Sequence, residues 1–306
     1  MTHSPPSRTA LDATWIDSPQ GLATLAGALA DAPFHALDLE ANSGFAYRER
    51  LCLMQWNVGG RLWLVDLLAL PGGTGAIEVL RPALEDPLRR TYLHGGEFDV
   101  GCLKRDYDLA VKGVWDSQQA ATFLGWEKTG YGALVEKICH VSLDKAFAHY
   151  DWSRRPLPPE VLRYALDDVR YLPQICQFLE KEVTAADLEE EVAIAHRTVE
   201  EAEWSGAADP RDIWRVKGAG HLEAAAQPRL VALNVWRDQV AERLDQPPGR
   251  LLNNRLLLAV ARSAPKSLRE LRRLGLRGRP LDRFGQEILK VLDRAAAEPQ
   301  EVLPPP

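Results

Sequence analysis

Three apolar runs set close together commit the first half of the chain to a β-sheet: Phe34-His35-Ala36-Leu37-Asp38-Leu39-Glu40, Leu51 to Val58, and Leu62 to Asp66. Gly59-Gly60 separates the second run from the third and supplies the positive φ angles of a tight hairpin. The three strands therefore read as an antiparallel meander. The first ends in two acids one residue apart, and because strand side chains alternate faces, Asp38 and Glu40 sit side by side. Adjacent carboxylates raise each other's pKa unless positive charge lies between them, and an all-oxygen cluster suits a hard divalent cation such as Mg²⁺ or Mn²⁺. Alone, the pattern also describes a strand end with two solvated acids.

The rest of the first two hundred residues alternates helical and strand patterns. Ser18-Pro19 supplies an N-cap and a first-turn proline for a helix running to Ala30. Further helical spacing covers Ala76 to Glu85, Glu97 to Arg105 (with Phe98, Cys102 and Leu103 turned inward), Asp116 to Leu124, and Gly132 to Cys139. A short strand is expected at Thr91 to His94. After Pro156, Pro158 and Pro159 a long helix runs from Glu160 to Leu172, with a break near Pro173. Asp99 falls in a first helical turn, where the helix dipole favours a carboxylate with or without a metal. Tyr164 and Asp168 are four apart and share a helix face. With Asp38 and Glu40 they make four acids and a phenol, the inventory of two-metal phosphoryl chemistry.

Composition sets outer bounds. The 306 residues, 46% hydrophobic and 26% charged, suffice for a large core and a smaller domain. The start Met1-Thr2-His3-Ser4-Pro5-Pro6-Ser7 has no apolar leader, and no run approaches the ~18 apolar residues of a membrane span, so a cytoplasmic protein with no membrane partner is expected. Cys52, Cys102, Cys139 and Cys176 are scattered, as reduced core cysteines would be. The net charge of -6 conceals a strong division. Glu180 to Glu203 carries nine acids against two bases, whereas Arg229 to Arg283 carries thirteen bases against five acids, a net of +8. A phosphate backbone would feel that local block.

The first half resembles the DEDD 3′→5′ exonucleases of the tyrosine-bearing subgroup, in the ribonuclease D group. Asp38-Leu39-Glu40 stands as the first motif, Leu93-His94-Gly95-Gly96-Glu97-Phe98-Asp99 as the second, and Tyr164-Ala165-Leu166-Asp167-Asp168-Val169-Arg170-Tyr171-Leu172 as the third. Trp115 to Ala121 and Leu143-Asp144-Lys145 with Asp151 to Leu157 extend it. Residues 30–180 are covered densely. The resemblance implies a ribonuclease H-like mixed sheet flanked by helices, an α/β fold. It further implies two divalent ions (Mg²⁺ or Mn²⁺) held by Asp38, Glu40, Asp99 and Asp168, with Asp38 bridging and Tyr164 positioning and helping to deprotonate the attacking water. A phenol of pKa near ~10 suits an orienting partner better than a strong base. His94 and Lys145 rank second, as substrate or supporting residues. Where many relatives carry Gln and Ser, this chain has Ala148 and Tyr150, a departure that bears on substrate contacts.

The C-terminal block reads as a small all-α domain over Leu230 to Asp245, Leu251 to Ala261, Ser267 to Leu274 and Leu281 to Leu292. It resembles the helicase-and-ribonuclease-D C-terminal (HRDC) domain, which implies nucleic-acid binding. Arg250, Arg255, Arg262, Lys266, Arg269, Arg272 and Arg273 are the candidate phosphate contacts, with a solvated basic face as the plainer alternative. Expected domains are residues 12–205, a linker at 206–226, and residues 227–298. Together these features imply hydrolysis at the single-stranded 3′ end of RNA, such as tRNA precursors, with release of nucleoside 5′-monophosphates. The alternatives are a Werner-type DNA 3′→5′ exonuclease and a non-catalytic RNA-binding scaffold, since sugar identity is read by 2′-OH contacts that the sequence does not reveal.

Overall fold

The computed structural model describes residues 12–71, 73–144, 146–147, 149–204, 209–298 and 301–304. Two compact units emerge, one of Met1–Asn42 with Arg50–Ser205 and one of Ser43–Glu49 with Gly206–Pro306, so far as these residues are described. Among the described residues no helix is long and apolar enough to cross a membrane.

The first unit begins with β1 (Ala13–Ile16), α1 (Pro19–Asp31), β2 (Phe34–Ala41), β3 (Leu51–Val58), β4 (Arg61–Asp66), α2 (Arg81–Leu84) and β5 (Arg90–Leu93). It continues with α3 (Glu97–Tyr107), β6 (Val114–Asp116), α4 (Ser117–Phe123), α5 (Tyr131–Leu134), α6 (Pro159–Arg170), α7 (Leu172–Ala185) and α8 (Glu189–Glu200). The six strands form one mixed sheet in the order β1-β4-β3-β2-β5-β6. β2, β3 and β4 are the antiparallel meander, turned at Gly59 and Gly60 with φ of 56° and 83°. β5 joins β2 in parallel, and β6 joins β5 in parallel.

Strand alternation decides what lies on each face of the sheet. Leu37 and Leu39 of β2 pack in one core with Leu22, Leu25 and Leu29 of α1. Ala36 faces the other core, with Val161, Ala165 and Val169 of α6 and Ile175 and Leu179 of α7. Asp38 and Glu40 share the face of Ala36, at the end of the strand, and the register with β3 slips between Glu40 and Ala41. Such an irregularity bends a strand and re-aims its last side chains.

Local chemistry explains most boundaries. Ser18 caps α1 through Gly21 N–H, with Pro19 at the start. The α6 helix ends at Arg170 and α7 restarts at Leu172, because Pro173 cannot continue a helical hydrogen-bond ladder. One strand was not foreseen, and two expectations need correction. The strand β1, only four residues long, gave no periodic signal and lies parallel to β4 at the sheet edge. Residues expected as a helix from Ala76 to Glu85 form a 3₁₀ segment, Gly73–Leu80, followed by the single turn α2. In α3, Cys102 and Leu103 are buried as expected, but Phe98 is 47% exposed because the inward stripe runs through Asp99, Val100 and Leu103.

The second unit is helical: α9 (Gln227–Arg243), α10 (Pro248–Leu251), α11 (Asn254–Ser263), α12 (Leu268–Leu274) and α13 (Arg279–Ala297). Its core gathers Leu230, Leu233, Leu257, Leu271 and Ile288. The stretch expected as a linker is largely part of this core. Ile213, Val216, Ala219, Leu222 and Ala226 recur every three or four residues and bury together with those leucines. The loop Ser43–Glu49 also belongs to this unit: Tyr47 Oη donates to Asp238 at 2.7 Å and Arg48 pairs with Glu242 at 2.7 Å.

Candidate active site

Three elements bring the acids of the three motifs into one cluster. Asp38 and Glu40 come from the end of β2, and Asp168 from the last turns of α6, which packs against β2, β3 and β4. One carboxylate oxygen from each of Asp38, Glu40 and Asp168 lies within 4.8 Å of the other two. Asp99, in the first turn of α3, is the fourth acid; it is not one of that close trio, but its charge acts on theirs. It is 8% exposed, the most enclosed of the four.

The electrostatics are those of like charges confined together. Burial pushes Asp38 up to about 7, opposed by a backbone hydrogen bond from Leu39. Burial also lifts Glu40 well above the carboxylate range, and the charges of Asp38, Asp168 and Asp99 add to it. Asp99 is raised by burial and then by Asp38, Asp116 and Asp168, and Asp168 by burial and then by Asp38 and Asp167. Four such acids cannot all ionise without a cation, and their oxygen-only donor set fits a hard divalent cation.

Tyr164 lies one turn before Asp168 on the same helix face. Its ring is held by Phe147 at 6.0 Å, edge to face, and by Trp152 at 6.4 Å, with Tyr150 packed on both of those rings. The departure at Tyr150 thus adds an aromatic behind the phenol. Arg155 pins this loop by a two-pronged ion pair to buried Asp66, at 2.6 and 2.8 Å. Burial, then the charges of Asp168, Glu40 and Asp38, raise the Tyr164 hydroxyl.

His94 stands beside the second motif with Nδ1 2.8 Å from Ser117 Oγ, and burial pulls it down to about 4, so at neutral pH it is uncharged. Lys145 and Ala148 lie outside the described residues. Arg250, Arg255, Arg262, Lys266, Arg269, Arg272 and Arg273 are all exposed in the second unit, away from the acid cluster in sequence and on other elements. Lys266 is 3.4 Å from Asp293, and Arg250 stacks 4.4 Å over the Phe45 ring. Two bases of the +8 block point inward instead: Arg229 donates to the Ala261 carbonyl, and Arg237 is buried among Asn234, Leu252 and Asn254.

Two further residues of the site were not among the candidates read from the sequence. Asp116, fully buried, accepts from Gly96 N–H at 2.8 Å and from Gln118 and Gln119 N–H at 2.8 and 3.1 Å, tying the start of α3 to that of α4. Its place ahead of an Ala-rich helix was a legible N-cap signal. Tyr131 sits against His94, ring centroids 5.3 Å apart, and within the field of Asp168 and Asp38; no spacing rule connects it to them.

Known families match both units of the chain. A family model described as 3′-5′ exonuclease matches residues 13–184, and one described as HRDC domain matches residues 226–292. The chain is 29% identical to Protein RRP6-like 1 of Arabidopsis thaliana over 297 residues, 92% of this chain and 46% of that protein. It is 31% identical to Ribonuclease D of Escherichia coli strain K12 over 298 residues, 95% of this chain and 77% of that one. The crystal structure of E. coli RNase D, described as an exoribonuclease involved in structured RNA processing, has a TM-score of 0.77 at 29% identity, covering 97% of this chain and 78% of that one. This chain spans less than half the length of the plant relative.

Proposed function

We propose, from the premise that this chain belongs to the ribonuclease D family of 3′-5′ exonucleases, that it removes nucleotides one at a time from the single-stranded 3′ ends of RNA, tRNA precursors among them. The observation that carries the reading is the trio Asp38, Glu40 and Asp168, whose oxygens converge within 4.8 Å on a surface otherwise packed as core.

Asp38, Glu40, Asp99 and Asp168 would hold two divalent ions, Asp38 being the acid that raises all three others. When bound, such ions acidify water and neutralise the charge that builds on the phosphoryl oxygens of an in-line displacement. Tyr164 keeps its proton at neutral pH, so its hydroxyl orients the attacking water by hydrogen bonding and does not strip it. The ring packing of Phe147 and Trp152 fixes that hydroxyl in one place. Water oxygen bonds to phosphorus, the P–O3′ bond breaks, and the shortened RNA keeps a 3′-hydroxyl while a nucleoside 5′-monophosphate leaves. His94, neutral and bonded to Ser117, supports the second motif and offers no charge to a phosphate. The exposed arginines of α11 and α12 fit a grip on the RNA body. The buried thiols of Cys52 and Cys176 fit a reducing, cytoplasmic compartment.

The test is digestion of a tRNA precursor with a 3′ trailer, beside matched single-stranded RNA and DNA. Faster shortening of RNA with 5′-monophosphate products supports the reading. A DNA preference contradicts the substrate, and 3′-monophosphate products contradict the mechanism.

A further inference from the structure

The hydroxyl of Tyr131 meets the backbone at the seam where α6 ends and α7 begins. It donates to the Asp167 carbonyl at 2.8 Å. Asp167 immediately precedes Asp168, and Tyr171 is the residue at which the helix breaks ahead of Pro173. A side chain bonded at such a break holds the helix end in one direction. The ring cannot drift: it rests on His94, itself tied through Ser117 Oγ to the Leu93 carbonyl of β5. Phenylalanine would fill the same space without desolvating a hydroxyl beside two carboxylates, so packing alone does not ask for tyrosine here.

We propose that Tyr131 is a positioning residue for Asp168, its hydroxyl fixing the terminal turn of α6 so that the Asp168 carboxylate meets those of Asp38 and Glu40 in a geometry that binds divalent ions. The inference rests on the functional reading above, and it concerns how the site is held, not what it does. Groups that orient a ligand from behind typically change metal affinity or activity by roughly 10- to 100-fold; a single hydrogen bond to backbone belongs near the lower end.

The experiment uses the full chain and Mn²⁺ as probe. Calorimetric titration of wild type, Tyr131→Phe, Asp168→Ala and Tyr92→Phe is paired with RNA turnover over a range of Mn²⁺ and with thermal melting. Tyr92→Phe is the control, a buried phenol on the same sheet face whose hydroxyl faces Glu180 and not the acid trio. Tyr131→Phe should weaken Mn²⁺ binding about tenfold, lower kcat at limiting Mn²⁺ with recovery at saturating Mn²⁺, and leave KM for RNA unchanged, while Tyr92→Phe matches wild type. A Tyr131→Phe isotherm equal to wild type overturns the inference, as does a fall in melting temperature with unchanged Mn²⁺ affinity, which is the signature of packing alone. If wild-type binding does not depend on Asp168, the functional reading fails and takes the inference with it. Wild-type binding that needs Asp168 but ignores Tyr131 removes the inference alone.

Discussion

Asp38 is the acid that each of the other three feels, since its charge raises Glu40, Asp99 and Asp168 alike. Removing it should abolish turnover and yet relieve the metal-free fold. The pH dependence has a definite sign. Its pKa of about 7 in the fold lies above the ordinary 3.8, so its favourable contribution is complete only below the ordinary value and is lost as pH rises through 7. Metal-free wild type should therefore melt lower at pH 8 than at pH 6, with a smaller difference in Asp38→Ala. Mn²⁺ should restore the wild type at pH 8 and leave the variant unmoved. Scanning calorimetry with chelator and with Mn²⁺ checks this, and a variant with a steeper pH dependence than wild type would contradict it.

Elements succeed or fail by how well they hold these side chains. Asp116 caps α4 and also holds the Gly96 N–H at the head of α3, the helix that presents Asp99. Asp116→Ala should destabilise the chain by about 2–3 kcal/mol, through loss of the cap and a stranded buried N–H. Denaturant unfolding measures that change, and turnover should fall further than the folded fraction does. The parts legible in the sequence were those with strong local patterns. Alternation placed Asp38 and Glu40 on one face of β2, the glycine pair turned β3 into β4, and the i,i+4 spacing put Tyr164 with Asp168. What stayed illegible depends on long-range packing. The four residues of β1 carry no period, the Gly73–Leu80 segment tightens to 3₁₀ where a helix was expected, and Tyr131 reaches α6 from the start of α5, 36 residues from Asp167 in sequence. Phe98 differs from the inward Asp99 by one helical position, enough to turn its side chain outward.

On the scale of the whole molecule, an acidic chain carries a basic helical unit whose net charge was legible from sequence but whose usable charge was not. Arg229 and Arg237 are engaged with internal carbonyls and amides, whereas Arg269, Arg272 and Arg273 remain exposed on the short helix α12. Replacing those three by Gln should weaken RNA binding and reduce the slope of log affinity against log salt by roughly one for each phosphate that is no longer neutralised. Filter binding over a salt series reads the slope, and an unchanged slope would make this face a solvated surface. The stretch 209–226 belongs to the same unit, because its apolar residues bury every third or fourth position into the helical core.

Converging acids that hold divalent ions should cleave RNA from its 3′ end only while those ions are bound. The direct measurement follows 5′-labelled single-stranded RNA with Mg²⁺ or with chelator, for wild type and for Asp168→Ala. A ladder shortening by single nucleotides with Mg²⁺, and absent both with chelator and in the variant, is the predicted result. A ladder that persists with chelator, or that Asp168→Ala produces as fast as wild type, would contradict the account.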